Sequence, residues 1–548
     1  MKTPFLRRVS RTLGLFLVTV ALLTSCVTTQ TIEAGKPRLV VFFVVDGLPQ
    51  HQVLAYRDQL APDGFARFLD RGTWFSEANY GHAFTVTAAG HAAMLTGAYP
   101  NRSGIVGNEW RDRVTAAPVY NTGDEAHKYL DNATEKLAGT SPKNLLVESV
   151  GDVLKRTHPT AKVIAVSGKD RGAILPAGKT GTAYMYMGDS GRFASSTYYM
   201  PAHPSWVTAF NAARPADRYF KQAWSPVLPD AGYARSQPDE RPWYAKGGKL
   251  PKVIGEGQEK PGPAFYGSIL PTPFGDALTL DFARAAMAGE ALGQDDVPDI
   301  LAISLSSHDY INHAWGAESR LSHDHVLQLD RLLAAFFADL DRTVGRDNYI
   351  AMLTSDHGFT PAPGYTQSIG RDGGRQNVTQ IIDRLNEGLS AKFGPEKWAR
   401  AWSANGILLD NALIAQKVSD RRALEIEARR LLLTEPGIIE VLTRSDLEST
   451  ALPPTDTLRQ MRKTFYADRS PDLLVVVRPY WMFGGATATH GSPHAYDRHV
   501  PILFYGPRWS AAGRVDTSVE VVDIAPTLAR ILGIAPPSAS EGKPLPLR

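Results

Sequence analysis

The sequence predicts an α/β fold with a largely parallel central sheet flanked by helices, and two observations carry that expectation. Near-continuous apolar runs rich in β-branched and aromatic residues recur along the chain, with helical patterns between them. Charged groups stand just past the ends of several of these runs, where open α/β sheets hold their ligands. A strand buried on both faces loses the apolar–polar alternation of a half-exposed one, so an uninterrupted run reads as an interior strand.

The first such run is RLVVFFVV at 38–45, which stops at Asp46-Gly47, and the design recurs at 162–167, 299–305, 349–354 and 500–505. Helical periodicity fills intervals at 145–156, 274–292, 324–344 and 522–532. Strands alternating with helices imply a mostly parallel sheet. From about 181 to 273 the text changes to aromatics, Pro and Gly with little periodicity, which reads as a cap insertion over the sheet edge. A second insertion, about 376–457, holds two amphipathic helical stretches and a strand-like run at 437–442. The catalytic domain is accordingly expected to span 38–548.

The first 25 residues differ in kind. Lys2, Arg7, Arg8 and Arg11 precede an apolar run at 13–23, the layout of an export signal and too short to span a bilayer comfortably. It ends in Leu23-Thr24-Ser25-Cys26, which resembles the bacterial lipobox, cut before a cysteine that receives lipid. Residues 1–25 therefore read as a lipoprotein signal peptide, Cys26 as the lipidation site and 26–37 as a tether; an ordinary secretory signal is the alternative. Val27 is not the aspartate associated with inner-membrane retention, so an outer-membrane anchor facing the periplasm is expected in a Gram-negative host. Cys26 is the single cysteine, which excludes an intramolecular disulfide. Four of the 59 basic residues lie in the signal; without them the formal charge passes from +3 to −1 against 56 acidic residues. The basicity thus belongs to the signal, and no nucleic-acid-binding surface is expected.

Four sequence elements carry metal-ligand residue types: Asp46 after a strand, Asp309-Tyr-Ile-Asn-His313, Asp356-His357 after another strand, and His490 in Thr-His-Gly-Ser. Asp and His together suit zinc or a similar divalent ion. Asp309 and His313, four apart, share a face of a helical turn. Asp356 and His357 would point oppositely in a continuing strand, so Gly358 is expected to turn the chain and aim both at one site. Taken singly, each is more often a satisfied polar residue than a ligand.

Phe84-Thr-Val-Thr87 leads into the small-residue stretch AAGHAAMLTG, placing Thr87 near a helix N-terminus, where free amides and the dipole favour an anionic substrate and a developing alkoxide. The plainer alternative makes Thr87, or equally Thr85, the helix cap. Lys169-Asp170-Arg171 follows the strand at 162–167, and alternation would put Lys169 and Arg171 on one side. Both can face one phosphate, Arg as a two-pronged donor and Lys as a point charge, although a solvated charge run has the same appearance.

Together these pieces resemble the alkaline phosphatase superfamily, and within it the threonine-nucleophile branch of PafA-type alkaline phosphatases beside the nucleotide pyrophosphatase/phosphodiesterases. The resemblance runs from about Val40 to the end, through VVDG at 44–47, TAAGHAAMLTGAYPNRSGIVGNEW at 87–110, SGKDRGAILPAG at 167–178, SSHDYINHAWG at 306–316, SDHG at 355–358 and THGSPHAYDRHVPILFYGP at 489–507. It implies an alkaline-phosphatase-like fold and two zinc ions, one held by Asp309, His313 and His490, the other by Asp46, Asp356 and His357. It implies further that Thr87 is the nucleophile, that Asn108 hydrogen-bonds a phosphoryl oxygen, and that Lys169 and Arg171 form the phosphate-binding pair of the monoesterases. The implied activity is hydrolysis of phosphate monoesters through a phosphothreonine. A type I phosphodiesterase or nucleotide pyrophosphatase is the alternative on the same site, and a catalytically silent phosphate-binding envelope lipoprotein the alternative of another class. His308, beside Asp309, falls outside the ligand spacing, His91 reads as supporting or packing, and His325 matches no ligand position.

Overall fold

Asp46 comes off the middle of a nine-stranded sheet. The computed structural model describes residues 35–131, 137–451, 453 and 455–547. The signal peptide expected at 1–25, Cys26 and most of the tether lie outside the described residues. In chain order the strands used below are β1 (Leu39–Val45), β2 (Thr73–Phe75), β3 (Val163–Ser167), β4 (Thr182–Met187), β5 (Arg192–Ala194), β6 (Asp299–Leu305), β7 (Tyr349–Thr354), β8 (Ala399–Ser403), β9 (Gly406–Leu409), β10 (Ile438–Thr443), β11 (Leu473–Val477), β12 (Ile502–Tyr505) and β13 (Gly513–Val515). The helices are α1 (Thr87–Thr96), α2 (Val150–Thr157), α3 (Asp170–Ala177), α4 (Pro273–Gly289), α5 (Ser307–Trp315), α6 (Arg320–Thr343), α7 (Val378–Phe393), α8 (Arg421–Leu432) and α9 (Ile524–Leu532).

The central sheet has the order β13-β2-β12-β7-β1-β6-β3-β4-β5. Its middle, β7-β1-β6-β3-β4, is parallel, while β12 and β5 run antiparallel to their inner neighbours. Every residue of β1 is 0% exposed because helices cover both faces. On one side Phe43 packs edge-on against Phe336 and Phe337 of α6, with centroids 5.7 and 5.9 Å away; α3 packs against β3, β4 and β6. Val44 pairs with Ser304 of β6 and Thr354 of β7, so the three strands end level and their following residues share one rim.

Some elements differ from the sequence expectation. β4 and β5 lie within the segment read as an insertion from 181, so the sheet takes its outer edge from there and the cap begins after Ala194. The second segment is a module with its own antiparallel sheet, β8-β9-β11-β10, and a core that includes Ile381, Trp398, Leu424 and Val475. β11 completes that sheet, so the module extends beyond 457. The helix expected from 145 starts at Val150, because Ser149 accepts from Asp152 N at 3.1 Å while Asp152 accepts from Ser149 N at 2.8 Å, a capping box. Among the described residues no helix is long and apolar enough to cross a membrane.

Candidate active site

The level strand ends bring Asp46 and Asp356 side by side. Asp46 N donates to Leu305 O at 3.0 Å, and Gly47, with φ +72°, turns the chain so that its N–H reaches Asp356 Oδ1 at 3.0 Å. Strand pairing has ended at Thr354, which lets Asp356 and His357 both face the site. Gly358 contributes by its lack of a side chain: its backbone needs no positive φ, but a Cβ there would lie 2.0 Å from Tyr496 O. His357 Nδ1 donates to Gly358 O at 2.9 Å, which leaves Nε2 pointing inward, 3.5 Å from Asp46 Oδ1 and 3.5 Å from Asp356 Oδ2.

A second group is built on α5 and a loop. Asp309 and His313 share a helix face, and His313 Nε2 lies 3.3 Å from Asp309 Oδ1. His490 Nε2 is 3.6 Å from the same oxygen, and His357 Nε2 is 3.9 Å away. His313 Nδ1 donates to Ala488 O and His490 Nδ1 to Thr85 O, each at 2.9 Å. All three rings thus spend one nitrogen on a backbone carbonyl and aim the other at the site, the arrangement that orients imidazole toward a metal. Asp309, His313 and His490 form one set, and Asp46, Asp356 and His357 another, each with its candidate ligand atoms within 4.8 Å of one another. Asp46 Oδ1, Asp309 Oδ1, Asp356 Oδ2 and His357 Nε2 are buried and make no hydrogen bond. Buried polar atoms normally find partners, so an orphaned set of carboxylate oxygen and imidazole nitrogen fits a divalent cation.

The charge balance agrees. Burial, followed by the neighbouring Asp356 charge, pushes the Asp46 carboxyl well above the usual carboxylate range. Burial acts the same way on Asp309, but Lys169 and then His313, His490 and His357 outweigh it and hold that carboxyl well below its ordinary value. Burial dominates at His490 and lowers it strongly, favouring the neutral, metal-binding form of the ring. Three buried carboxylates with one lysine among them favour added positive charge.

Thr87 opens α1 and is 1% exposed. Neither threonine caps the helix: the cap position is Val86, without a side-chain bond, and Thr85 Oγ1 donates to Ser492 O at 3.3 Å. The small residues of α1 allow a close approach, since a Cβ on Gly90 would lie 2.2 Å from Asp356 O. His91, one turn on, donates from Nδ1 to Thr87 O at 2.8 Å and sits 3.3 Å from Asp356 Oδ2, while Thr85 O holds His490. The start of α1 therefore abuts both ligand sets. Asn108 accepts from Ala88 N at 2.8 Å through Oδ1, leaving its amide N–H groups for another acceptor.

Lys169 and Arg171 reach the site by a different route from strand alternation. The strand ends at Ser167, Lys169 occupies the cap position of α3, and Arg171 lies in its first turn. Lys169 Nζ is 2.8 Å from Asp46 Oδ2 and donates to Asp309 Oδ2 at 2.5 Å, linking the two sets. Arg171 Nη1 donates to Tyr120 OH at 3.0 Å, and Tyr120 donates to Asp170 Oδ1 at 2.8 Å. Sequence reasoning missed Tyr120, which arrives from a hairpin some fifty residues upstream; no local pattern marks it. His308 turns away from the ligand sets, toward Gln52 and His325.

Two candidate metal-ligand sets beside a threonine at a helix start define a class, and comparison gives it a family. The family model for type I phosphodiesterase / nucleotide pyrophosphatase matches residues 40–497, and the chain belongs to that family. It is 32% identical over 523 residues to the alkaline phosphatase PafA of Elizabethkingia meningoseptica, covering 94% of this chain and 95% of that one. The crystal structure of wild-type alkaline phosphatase PafA superposes with a TM-score of 0.86 at 31% identity, covering 93% of this chain and 98% of that one. Within the family the chain thus groups with PafA-type enzymes. It is also 34% identical over 521 residues, 93% of this chain and 94% of the other, to a Myroides odoratus protein named calcium-transporting ATPase.

Proposed function

We propose that this chain is an alkaline phosphatase: a metal-dependent hydrolase of phosphate monoesters that works through a phosphothreonine. The observation that supports it most is the convergence of two candidate ligand sets, linked by Lys169 and holding unpartnered buried atoms on Asp46, Asp309, Asp356 and His357, on the turn of α1 that begins with Thr87. Two Zn2+ ions would be held, one by Asp309, His313 and His490, the other by Asp46, Asp356 and His357; other divalent metals suit the same donors. When bound they supply positive charge for the attacking and leaving oxygens.

The chain's own residues do the rest. Thr87 Oγ1 attacks phosphorus in line and gives up its proton, and the substrate's ester oxygen leaves as the alcohol. Water then attacks the phosphothreonine, releasing inorganic phosphate and restoring the hydroxyl. Asn108, its carbonyl occupied by Ala88 N, donates its amide to a phosphoryl oxygen. Arg171, steadied by Tyr120, faces the remaining oxygens with Lys169 beside it. Two extra positive donors reward a dianionic monoester over a monoanionic diester.

The family description favours diesters as the second reading, and the Myroides protein's name includes ATP hydrolysis; all are phosphoryl transfers to water. The test is hydrolysis of a chromogenic phosphate monoester and its diester at alkaline pH by zinc-loaded protein starting after Cys26, beside Thr87→Ala. Strong preference for the monoester and a nearly dead Thr87→Ala are expected. Preference for the diester moves the chain to the second reading, and activity toward neither moves it to a phosphate-binding protein. We further propose export and lipid attachment at Cys26 on the periplasmic face of the outer membrane, with Cys26→Ser expected to release the protein from the membrane fraction.

A further inference from the structure

His308, His325 and Asp276 are fully buried, and none of them belongs to the ligand sets or the phosphate-binding groups. They form a continuous chain: His308 Nε2 is 2.8 Å from Gln52 Oε1, His308 Nδ1 is 3.0 Å from His325 Nδ1, and His325 Nε2 is 3.0 Å from Asp276 Oδ2. The chain crosses three helices, since Asp276 lies in α4, His308 in α5 and His325 in α6. Asp276 Oδ1 also accepts from Ser307 N at 3.1 Å, taking one of the free amides at the start of α5. The first turn of α5 is thereby fastened on two sides, and Asp309 is in that turn.

Hydrogen-bond direction fixes the proton count. Gln52 Nε2 donates to Ala317 O at 2.6 Å and to Ser322 Oγ at 3.0 Å, so Gln52 Oε1 is an acceptor and His308 Nε2 must carry hydrogen. The His308–His325 contact needs a second hydrogen and the His325–Asp276 contact a third. Two neutral imidazoles supply only two. The third charges one ring or protonates Asp276, and a positive charge is best placed on the ring that touches the carboxylate. A buried ion pair of this kind is a weak source of stability but a strong constraint on geometry when its remaining bonds are satisfied, as they are here.

We propose that His325, as an imidazolium paired with Asp276, is a positioning residue that acts through His308 to hold Asp309 in the orientation its metal requires. This rests on the metal site described above. Groups hydrogen-bonded directly to a ligand typically alter metal affinity by about 10–100-fold, and a group acting one link further out, through His308, is expected at the lower end, about 10-fold. The double variant His325→Leu with Asp276→Asn breaks the relay, keeps an acceptor for Ser307 N and leaves no unpaired charge buried. Zinc content under chelator competition is compared with the wild type, with folding checked by circular dichroism. Two chelator-resistant ions in the wild type and one in the folded variant are expected. A variant that keeps both ions as tightly as the wild type overturns the positioning role. A wild-type chain that binds no divalent metal overturns the metal site itself, which is a distinguishable result. Nitrogen NMR of 15N-histidine-labelled wild type gives a reading independent of any variant: His325 is expected to carry hydrogen on both ring nitrogens and His308 on Nε2 alone. A His325 ring with a single N–H overturns the ion pair.

Discussion

The two ligand sets are built from unlike materials. Asp46, Asp356 and His357 sit on the ends of adjacent parallel strands, and all three side chains are 0% exposed. Their backbone is held by the sheet register itself and by the Gly47–Asp356 bond. Asp309, His313 and His490 come from one helix and one loop, and the His313 side chain is 32% exposed. A site on strand ends inherits the rigidity of the sheet, whereas one shared by a helix and a loop depends on contacts that must be made separately. The first set should therefore fail all at once and the second by degrees.

The largest expected effect tests the strand-end set. Asp46→Asn removes the charge that pairs with Lys169 and turns an anionic candidate ligand into a neutral amide. A bound ion contributes several kcal/mol to the transition state, on the order of 10³-fold in rate, and excess zinc should not restore activity. His313→Gln takes away a candidate ligand itself, so zinc binding should weaken by more than the roughly 10–100-fold typical of losing a ligand's outer partner, and millimolar zinc should bring activity back. Titration of activity against zinc in both variants checks the contrast; equal rescue of the two would erase it.

A smaller effect separates the candidate metal sets from the groups proposed to bind the anion. Tyr120→Phe removes the hydroxyl that steadies Arg171 and touches neither ligand set. One hydrogen bond to an aligned group is worth about 0.5–1.5 kcal/mol, so kcat/KM for a monoester should fall by about 2- to 10-fold while the diester rate and zinc content stay put. A matching loss on the diester would mean that Tyr120 supports the fold of the site and not the monoester contact.

The same contrast governs what the sequence made legible. The interior strands were readable because burial on both faces leaves an unbroken apolar run, and Asp309-x-x-x-His313 because helix pitch puts both on one face. β4 and β5 were missed because an edge built from Thr182–Met187 and Arg192–Ala194 sits amid aromatics and glycines whose packing is set by the cap. The placement of Lys169 and Arg171 on one side followed from a strand rule, whereas the structure puts them at a helix start. Tyr120 and the His308–His325 contact were invisible because they join residues far apart in sequence. In those cases the chemistry is created by the tertiary fold, and spacing along the chain records none of it.

The smallest effect concerns the chain that follows the helix-borne set. Glu318 lies just beyond α5, and burial pushes its carboxyl up to about 8 from an ordinary 4.5, with the backbone N–H groups of Glu318 and Ala362 offsetting only part of that push. The folded state therefore holds a proton that the unfolded chain releases. Its stability is fully present below the unfolded value of 4.5 and is lost as pH rises through about 8, after which the loss levels off. Glu318→Gln keeps the shape and removes the charge. Its melting temperature should match the wild type near the lower of these values and exceed it by a few degrees above the upper one, in thermal scans of the metal-free proteins across that range. An advantage that stays constant with pH would show that Glu318 keeps its ordinary acidity, and an advantage that grows toward acid would mean that its carboxylate is paired in the folded protein.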